Sequence, residues 1–461
     1  MTHLLVFFLC IVLLCTSDAD RFPVNSEDDF ISLGNAMSQP GYTGDITLET
    51  DLLITASTSF SGAPLGVTAE GKCQPFSGTF DGKGHTITIS IIGQTYPHAG
   101  LFCGLLNATV QNLVLGPLSL FQGRRAGALA ATISGNVTIV NVTNRGSVTG
   151  NEDTGGLVGA VDGVGRETVL FDACSNHGEV NGAGINTGGL VGVVTGCTGT
   201  DVVVAHCTNN GYVIGSGAVG VEASYVGGLI GEISQSTEIR VNVNSSSNNG
   251  NLHGENKEKG VFVAGLVSRV YSNNGVVVSV ENCSNSGSIT CSASGYYCIM
   301  GGLLSWVYNN NNNTVNVTIR NSENHGCVNS TSDVTYAFAG GIISEISQFN
   351  DVRLTLANVT NSGTIVAKNV NNDTRAGGLV GHVYSPESEE SFTRVFLEHC
   401  VNRGAVSSSR FSCGLITLSD TSFPRDIQVH HCVNSGPVSA EYEACGIITK
   451  VCNASSVASL G

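Results

Sequence analysis

The sequence predicts an all-β protein built as a parallel β-helix, or β-solenoid, of about nine to eleven coils with an N-terminal helical cap. First, a phrase ending in Asn-x-Gly recurs nine times at intervals of 32 to 41 residues, and such a period is typical of solenoids. Second, each repeat contains short β-branched runs such as Val202–Val204 and Val315–Ile319, bounded by Gly, Asn and Ser and without helical periodicity. Three short strands and three turns per repeat therefore form one coil.

The repeated asparagine predicts a ladder along the solenoid. Strands of consecutive coils pair about 4.8 Å apart, so equivalent residues lie above one another. Stacked side-chain amides then hydrogen-bond along the axis, as in other stacked β assemblies. The nine ladder positions are Asn144, Asn176, Asn209, Asn248, Asn285, Asn324, Asn361, Asn402 and Asn434. The Leu or Ile of a Gly-Gly-Leu/Ile element predicts a matching apolar ladder: Leu157, Leu190, Leu229, Leu303, Ile342 and Leu379.

The N-terminus is typical of a secretory leader. Residues 4–15 form an apolar run too short to span a bilayer comfortably, and Ser17 and Ala19 place small residues at the −3 and −1 positions of a cleavage site after Ala19. We therefore expect residues 1–19 to be a signal peptide, and no later stretch is long and apolar enough for a transmembrane helix. The mature chain is then secreted or displayed at a cell surface.

The region after the leader differs from the repeats. Ser26 followed by acidic residues and by Phe30, Leu33 and Met37 predicts an N-capped amphipathic helix, and residues 45–54 alternate as a strand. Such a helix would cover the open edge of the first coil. We place a cap at residues 20–60, the first β-helix coils at 61–118 and the repeat solenoid at 119–461.

The order of motifs resembles that of GLUG-motif repeat proteins. The matching stretches are DDFISL (28–33), GYTGDITLETDL (41–52), FSGTFDGKGHTI (76–87), AGLF (99–102), VQNLVL (110–115) and the GGLVG or GGLIG elements at 155–159, 188–192, 227–231 and 377–381. This family includes exported adhesin-like surface proteins and the N-terminal part of bacterial IgA-specific metallopeptidases. The resemblance implies a right-handed β-helix at the cell surface and does not imply one activity. The HExxH motif of a metallopeptidase is missing.

The net charge limits the possible binding partners, and the glycosylation sequons indicate which positions lie at the surface. The net charge of −16 with 12% charged residues argues against nucleic acid, which favours a basic face, and against a polybasic attachment to anionic lipid. Several Asn-x-Ser/Thr sequons are expected to carry glycans if the source is eukaryotic, and glycans require surface positions. The sequons are at Asn107, Asn136, Asn141, Asn244, Asn282, Asn312, Asn316, Asn329, Asn358, Asn372 and Asn453.

The cysteines fit an oxidising compartment. Removing Cys10 and Cys15 with the leader leaves fourteen of sixteen, an even number. Adjacent coils place cysteines of equal phase within disulfide range. The expected bridges are Cys400–Cys432 and Cys413–Cys445, with Cys174–Cys207, Cys73–Cys103 and Cys291–Cys298 as further candidates. The alternative is a ladder of buried free thiols acting as small hydrophobic residues.

The residues that suggest chemistry are few. His206, His399 and His431 each precede a ladder cysteine and are expected on the opposite strand face, so a zinc site combining both residue types is disfavoured. Glycoside hydrolysis needs two carboxylates at a fixed separation, and the only Asp-Asp pair, Asp28–Asp29, lies in the cap. No catalytic, cofactor-binding or metal-binding residue is assigned, and no cofactor is expected.

Aromatic residues cluster in the fifth and sixth repeats. Exposed, they would stack on sugars; buried, they would fill the core or a corner. The cluster comprises Tyr296, Tyr297, Trp306, Tyr308 and Tyr336.

We therefore expect a non-enzymatic, adhesin-like or structural surface protein whose rigid face binds a cell-surface glycan or protein. The first alternative is a carbohydrate-active β-helix enzyme, a polysaccharide lyase or hydrolase. The second is a filament subunit that stacks end to end through the last coil.

Overall fold

A computed structural model describes residues 21–449, apart from 40–41, 55–62, 93–96, 218–219, 221–222, 273–274, 310–313, 331–333, 349–350, 370–372, 385–392 and 419–424. Residues 1–20 and 450–461 lie outside the described residues, and the predicted signal peptide at residues 1–19 is among them. In the described part, nearly every element is a short strand in parallel pairing, and α1 (Glu27–Met37) is the one α-helix. The predicted parallel β-helix with an N-terminal helix is confirmed, and its right-handed winding stays a prediction.

The coils are built from three sheets that run along the solenoid axis. Sheet 1 has 33 strands, and sheets 2 and 3 have 11 strands each. In a full repeat the chain forms a five- or six-residue strand, a two-residue strand with the ladder asparagine and a third short strand in sheet 1. It then forms one strand in sheet 2, turns at the Gly-Gly corner and forms one strand in sheet 3. The eleven strands of sheets 2 and 3 agree with the predicted number of coils.

The sheet 1 strands in the repeats fall into three groups. The first strands are Thr168–Asp172, Asp201–Ala205, Arg240–Asn244, Val277–Glu281, Val315–Arg320, Val352–Ala357, Thr393–Glu398 and Arg425–His430. The asparagine strands are Ser175–Asn176, Thr208–Asn209, Ser247–Asn248, Ser284–Asn285, Glu323–Asn324, Thr360–Asn361, Val401–Asn402 and Val433–Asn434. The third strands are Ser147–Gly150, Val180–Gly182, Val213–Ser216, Leu252–Asn256, Ile289–Ala293, Val328–Ser330, Ile365–Ala367, Val406–Ser408 and Val438–Ala440.

Sheet 1 begins with eight less regular strands. They are Arg21–Val24, Asp45–Leu48, Leu52–Ile54, Thr79–Asp81, Thr86–Ile92, Thr109–Leu115, Leu120–Gly123 and Val137–Asn144. The strand expected at residues 45–54 is thus two strands, and each pairs with a different part of the next coil.

Sheets 2 and 3 supply the remaining strands. Sheet 2 contains His98–Ala99, Arg125–Gly127, Asp153–Gly155, Asn186–Gly188, Ala223–Gly227, Gly260–Ala264, Tyr297–Gly301, Tyr336–Gly340, Asp373–Gly377, Phe411–Cys413 and Glu443–Cys445. Sheet 3 contains Phe102–Leu106, Ala130–Ser134, Val158–Asp162, Val191–Thr195, Ile230–Ser234, Val267–Ser272, Leu304–Asn309, Ile343–Gln348, Val380–Tyr384, Ile416–Leu418 and Ile448–Thr449.

The helix α1 closes the N-terminal end of the core. Ser26 is its N-cap, and the Ser26 hydroxyl accepts a hydrogen bond from the Asp29 backbone N–H at 3.2 Å. Phe30, Leu33 and Met37 lie on one face of the helix, are at most 2% exposed and join the main hydrophobic core. Burying this apolar face stabilises a helix that is too short to be stable alone.

Two hydrophobic cores fill the interior. The main core lies between sheet 1 and sheet 3 and contains inward residues such as Phe171 and Val194. A second core lies between the third strands of sheet 1 and sheet 2, where Val213 packs with Val226. Each coil buries its apolar side only with the help of its neighbours, as expected for a solenoid.

The Gly-Gly corner between sheets 2 and 3 requires glycine. A Cβ atom added at Gly189 would lie 2.0 Å from the carbonyl oxygen of Gly228 in the next coil and 2.5 Å from the side chain of Asn209. The same two close approaches recur at Gly228 and Gly341. The glycine pair thus lets successive corners stack at the spacing of the strands.

Candidate functional site

Sheets 2 and 3 form a groove along the outside of the solenoid. Sheet 2 has both faces occupied: Val226 packs into the second core, whereas its neighbour Tyr225 points the other way and belongs to a third, separate cluster. In sheet 3, Val267 and Val270 point into the main core and Arg269 lies on the other face. Since Arg269 contacts Tyr225, the outward faces of the two sheets converge at the glycine corner and enclose a cleft.

We call this cleft the aromatic groove, and two columns of side chains form its floor. The sheet 2 column is in consecutive register: Tyr225, Phe262, Ile299, Phe338 and Arg375. The sheet 3 column is likewise in register: Glu232, Arg269, Trp306, Glu345 and His382. Tyr225, Phe262, Ile299 and Phe338 are at most 7% exposed, so the floor is tightly packed. The chain thus buries charged groups between aromatic rings outside its apolar cores.

Tyrosines form both rims of the groove. On the sheet 3 rim, Tyr271 and Tyr308 stack with ring centroids 5.5 Å apart and planes 6° apart. On the sheet 2 rim, Tyr297 and Tyr336 stack at 5.2 Å and 16°. Tyr384 continues the sheet 3 rim and is exposed. The rims therefore present aromatic rings in pairs repeated at the spacing of the coils.

Arg269 is the central cation of the floor. Its guanidinium lies 4.6 Å from the Tyr225 ring centroid, 4.3 Å from that of Tyr271 and 4.8 Å from that of Trp306. Arg269 Nη1 donates to Glu232 Oε1 at 2.8 Å, and both side chains are at least 85% buried. Burial raises the pKa of Glu232, and the charge of Arg269 opposes that shift. Three aromatic faces and a carboxylate together offset the cost of burying the guanidinium.

A second ion pair lies at the N-terminal end of the groove. Arg125 Nη2 lies 2.8 Å from Asp153 Oδ2, and Asn186 Nδ2 donates to Asp153 Oδ1 at 2.9 Å. Arg125 Nη1 also lies 3.4 Å from Asp162. Burial raises the pKa of Asp153, while the bond from Asn186 and the charge of Arg125 act against that shift.

Glu345 is the buried carboxyl toward the C-terminal end. Its side chain is 10% exposed, and His382 Nδ1 lies 3.9 Å from Glu345 Oε1. Burial raises the pKa of Glu345 to about 7, whereas a hydrogen bond with Ser347 and the charge of Arg375 lower it. His382 also packs on the Phe338 ring, with centroids 4.5 Å apart. This carboxyl therefore changes charge near neutral pH.

The sequence cluster of aromatic residues is only partly surface-exposed. Trp306, Tyr308 and Tyr336 are half-buried, and Trp306 Nε1 donates to the Ser347 hydroxyl. Tyr296 and Tyr297 are more exposed, at 56% and 41%. The residues that complete the groove were not predicted from the sequence; they are Tyr225, Glu232, Phe262, Arg269, Phe338, Glu345 and His382. These residues occupy outward-facing positions of sheets 2 and 3, where the residue type changes from coil to coil, so no repeated residue marks them in the sequence.

The nine ladder asparagines occupy one column in sheet 1. Each side-chain Nδ2 from Asn144 to Asn402 donates to Oδ1 of the next asparagine at 2.7–2.8 Å. Each Nδ2 from Asn144 to Asn434 also donates to the carbonyl two residues later, at 2.8–3.1 Å. Asn144 to Asn402 are fully buried. The apolar ladder is also in register and includes four members not predicted from the sequence: Leu129, Leu266, Leu415 and Ile447.

Two of the five expected cysteine pairs are disulfides: Cys73–Cys103 and Cys291–Cys298. The expected bridges Cys174–Cys207, Cys400–Cys432 and Cys413–Cys445 are not formed, and all six of these cysteines are free thiols. The Cys413 and Cys445 sulfurs lie 3.1 Å apart without a bond.

A Cα spacing within disulfide range is common to every pair of stacked residues in a column, so it permits a bond without selecting one. Cys400 Sγ lies 3.4 Å from the carbonyl oxygen of Leu356 and 3.3 Å from that of Glu398, and its one S–H has either as an acceptor. Ser246 and Ser322 occupy equivalent positions in other coils, and their hydroxyls donate to backbone carbonyls in the same way. The column that contains Cys207, Ser246 and Ser322 therefore accommodates a small buried thiol or hydroxyl in each coil, with or without a cross-link.

The three histidines lie in turns and not on the strands, which corrects the expected placement. His206, His399 and His431 have φ of 51°, 53° and 53°, in the left-handed region that follows the first strand of each coil. His206 Nδ1 lies 2.8 Å from Asp172 Oδ1, and the His399 and His431 rings stack at 5.0 Å. Within the described ranges, no group of three or more His, Cys, Asp or Glu is arranged to hold a metal ion.

The remaining predicted residues are at the surface or in the cap. Six sequon asparagines are exposed: Asn107, Asn136, Asn141, Asn244, Asn282 and Asn358. Asn316 and Asn329 are half-buried, and Asn312, Asn372 and Asn453 lie outside the described residues. Asp28 and Asp29 lie in the first turn of α1, where Asp29 accepts a hydrogen bond from the Asn25 backbone N–H at 2.9 Å. This pair therefore serves the helix end.

Comparison with known proteins gives few relatives. No family model matches the chain. Halomucin of Haloquadratum walsbyi is 32% identical over 146 residues, which cover 31% of this chain and 2% of halomucin. The match thus spans a small fraction of that relative. A solved structure provisionally assigned as an immunoglobulin A1 protease from Bacteroides ovatus aligns with a TM-score of 0.44 and 18% identity, over 62% of this chain and 85% of that chain.

The described residues also contain no helix that is long and apolar enough to cross a membrane.

Proposed function

We propose that this chain is an exported surface protein of the GLUG-motif kind that binds an extended glycan in the aromatic groove. The observation that carries the proposal is the paired stacking of Tyr271 on Tyr308 and of Tyr297 on Tyr336 along the two rims. A sugar ring offers an apolar face to an aromatic ring and hydroxyls to polar neighbours. Along the groove, the aromatic rims offer contacts for the apolar faces of sugar rings, and the polar, charged floor offers hydrogen bonds for their hydroxyls.

The proposal has this protein bind its glycan without cleaving it. Glu232 and Glu345 are separated by three coil steps, which corresponds to about 14 Å at the usual strand spacing. Glycosidases hold their two carboxyls roughly 5 to 9.5 Å apart. Glu232 is also held in an ion pair with Arg269. These two carboxyls are therefore better placed to orient a bound glycan than to act together as the acid and base of glycoside hydrolysis.

Export and glycosylation are part of the same proposal. The apolar leader and the six exposed sequon asparagines favour passage through a secretory route. The sparse charge over a long rod favours a soluble, displayed molecule. The hydroxyl-rich surface of a glycan suits a groove whose buried charges are largely paired within the chain.

A glycan array and titration calorimetry with the chain from residue 20 onward would test the proposal. We expect the wild-type chain to bind at least one oligosaccharide class, and Tyr308→Ala to weaken that binding by roughly tenfold or more, since one lost stacking contact corresponds to about 1.4 kcal/mol. Tyr212→Ala is the matched control because Tyr212 is 42% exposed and lies outside the groove. A blank array, or equal losses in both variants, would refute groove binding.

A further inference from the structure

The buried carboxyls of the aromatic groove differ in how they are paired. Asp153 has the Arg125 guanidinium at 2.8 Å, and Glu232 has that of Arg269 at 2.8 Å. In both cases the cation comes from an adjacent coil, so the solenoid itself supplies the counter-charge. Glu345 has the same outward position in sheet 3 as Glu232, three coils later.

Glu345 has a weaker counter-charge. The position beside it in the next coil is His382, with 3.9 Å between Nδ1 and Oε1. Arg375 lies across the groove and acts on Glu345 through its charge, but its guanidinium pairs with Asp373 at 2.8 Å. Among the described residues, no lysine or arginine nitrogen lies within 4.0 Å of the Glu345 carboxylate.

Aromatic residues neighbour Glu345 in the groove. Trp306 precedes it in the floor column, and Tyr308 is the register partner of Ser347, two residues beyond Glu345. Tyr336 forms the opposite rim in the same coil. Nearer the N-terminus, a cation already occupies a comparable setting, since Arg269 lies against three rings and a carboxylate. An external cation at Glu345 would meet the same kinds of group.

We infer that the glycan in the aromatic groove carries a primary ammonium group, as in a 2-amino-2-deoxy sugar, and that this ammonium pairs with Glu345. The inference rests on the proposed glycan binding and names the sugar class for that site. The ammonium would supply the full positive charge that Asp153 and Glu232 receive from guanidinium groups and that His382, beside Glu345, does not provide as a neutral imidazole. The sugar ring that carries the ammonium packs its apolar face against the rim tyrosines.

Titration calorimetry of the full mature chain at pH 7 with two tetrasaccharides tests the inference. One probe is the glucosamine tetramer and the other is its fully N-acetylated form, which keeps the rings and removes the charge. We expect the amino tetramer to bind about tenfold more tightly or better, the size of one charge-assisted contact. We expect Glu345→Gln to abolish this preference, so that the two tetramers bind the variant with equal affinity.

Control variants separate this inference from its premise. Glu179→Gln removes an exposed carboxyl outside the groove and should keep the preference. Equal binding of both tetramers by wild type would overturn the ammonium assignment and leave glycan binding standing. Absence of binding by either tetramer, together with a blank array, would overturn the premise. Tighter binding of an oligolysine peptide than of the amino tetramer would assign the site to a basic protein and overturn the sugar class.

Discussion

Asn209 Nδ2 donates to Asn248 Oδ1 at 2.8 Å and to the Gly211 carbonyl at 3.0 Å, with the whole side chain buried. Asn209→Ala would leave a buried donor and acceptor on the adjacent asparagines without partners. We expect the free energy of unfolding to fall by about 3 kcal/mol, since each unsatisfied buried polar group costs roughly 1–3 kcal/mol. Chemical denaturation measures the change. Asn210→Ala, at the adjacent exposed position, is the control and should cost little; equal losses would contradict a special role for the ladder.

Gly189→Ala should destabilise the protein severely or prevent folding. Its Cβ would lie 2.0 Å from the Gly228 carbonyl oxygen, and a backbone atom of the adjacent coil cannot move without breaking the strand register. Soluble yield and thermal unfolding report the effect. Gly165→Ala is the matched control because a Cβ there meets no atom within 4 Å and its φ is not left-handed. A Gly189→Ala protein with wild-type stability would show that the corner is looser than described.

Stability should fall as pH rises toward neutrality because of Glu345. Burial raises the pKa of this carboxyl to about 7 from an ordinary value of 4.5, so the folded state holds a proton that the unfolded state has lost. The stabilisation that comes from protonated Glu345 is fully present below about pH 4.5. It declines between pH 4.5 and about 7 and is absent above that. The whole change in the free energy of unfolding is about 3 kcal/mol. Denaturation midpoints across this range measure it. Glu345→Gln should flatten this part of the profile, and an unchanged slope would contradict the assignment.

Arg269→Ala should cost about 3–5 kcal/mol, because it leaves the buried Glu232 carboxylate without its counter-charge. The loss should be larger above the pKa of Glu232, which burial raises, than below it, since protonation removes the uncompensated charge. Arg240→Ala is the control: Arg240 is 67% exposed and lies 3.7 Å from Asp201, and an exposed pair contributes at most about 1 kcal/mol. Similar losses in both variants would contradict a structural role for the groove ion pair.

The repeated part of the fold was predictable from the sequence because stacking makes like residues adjacent. Asn176 and Asn209 share one phase of the repeat, and that phase alone predicted their contact. Ser26 likewise indicated the start of the helix through its acidic followers. The fixed repeat period was sufficient to predict the asparagine contact, and local capping chemistry was sufficient to predict the start of the helix.

The groove could not be predicted because its columns do not repeat a residue type. Glu232, Arg269 and Trp306 are neighbours only through register, and inserts of different length hide that register in the sequence. Three of the five expected cysteine pairs are free thiols, because a Cα spacing within disulfide range is shared by all stacked residues of a column and does not by itself select a bond. Ser246, in the same phase as Cys207, was the available signal.

The in-register parallel pairing also fixes how this rod responds to a pulling force. Each coil is joined to the next by backbone bonds from all three sheets and by one asparagine contact, so load along the axis is shared by many weak links acting side by side. A force applied through the chain ends instead loads only the terminal coil. That coil would unfold before the adjacent coil is strained. A displayed molecule of this build would therefore lengthen in steps of one repeat under traction, and the untouched remainder would keep its shape.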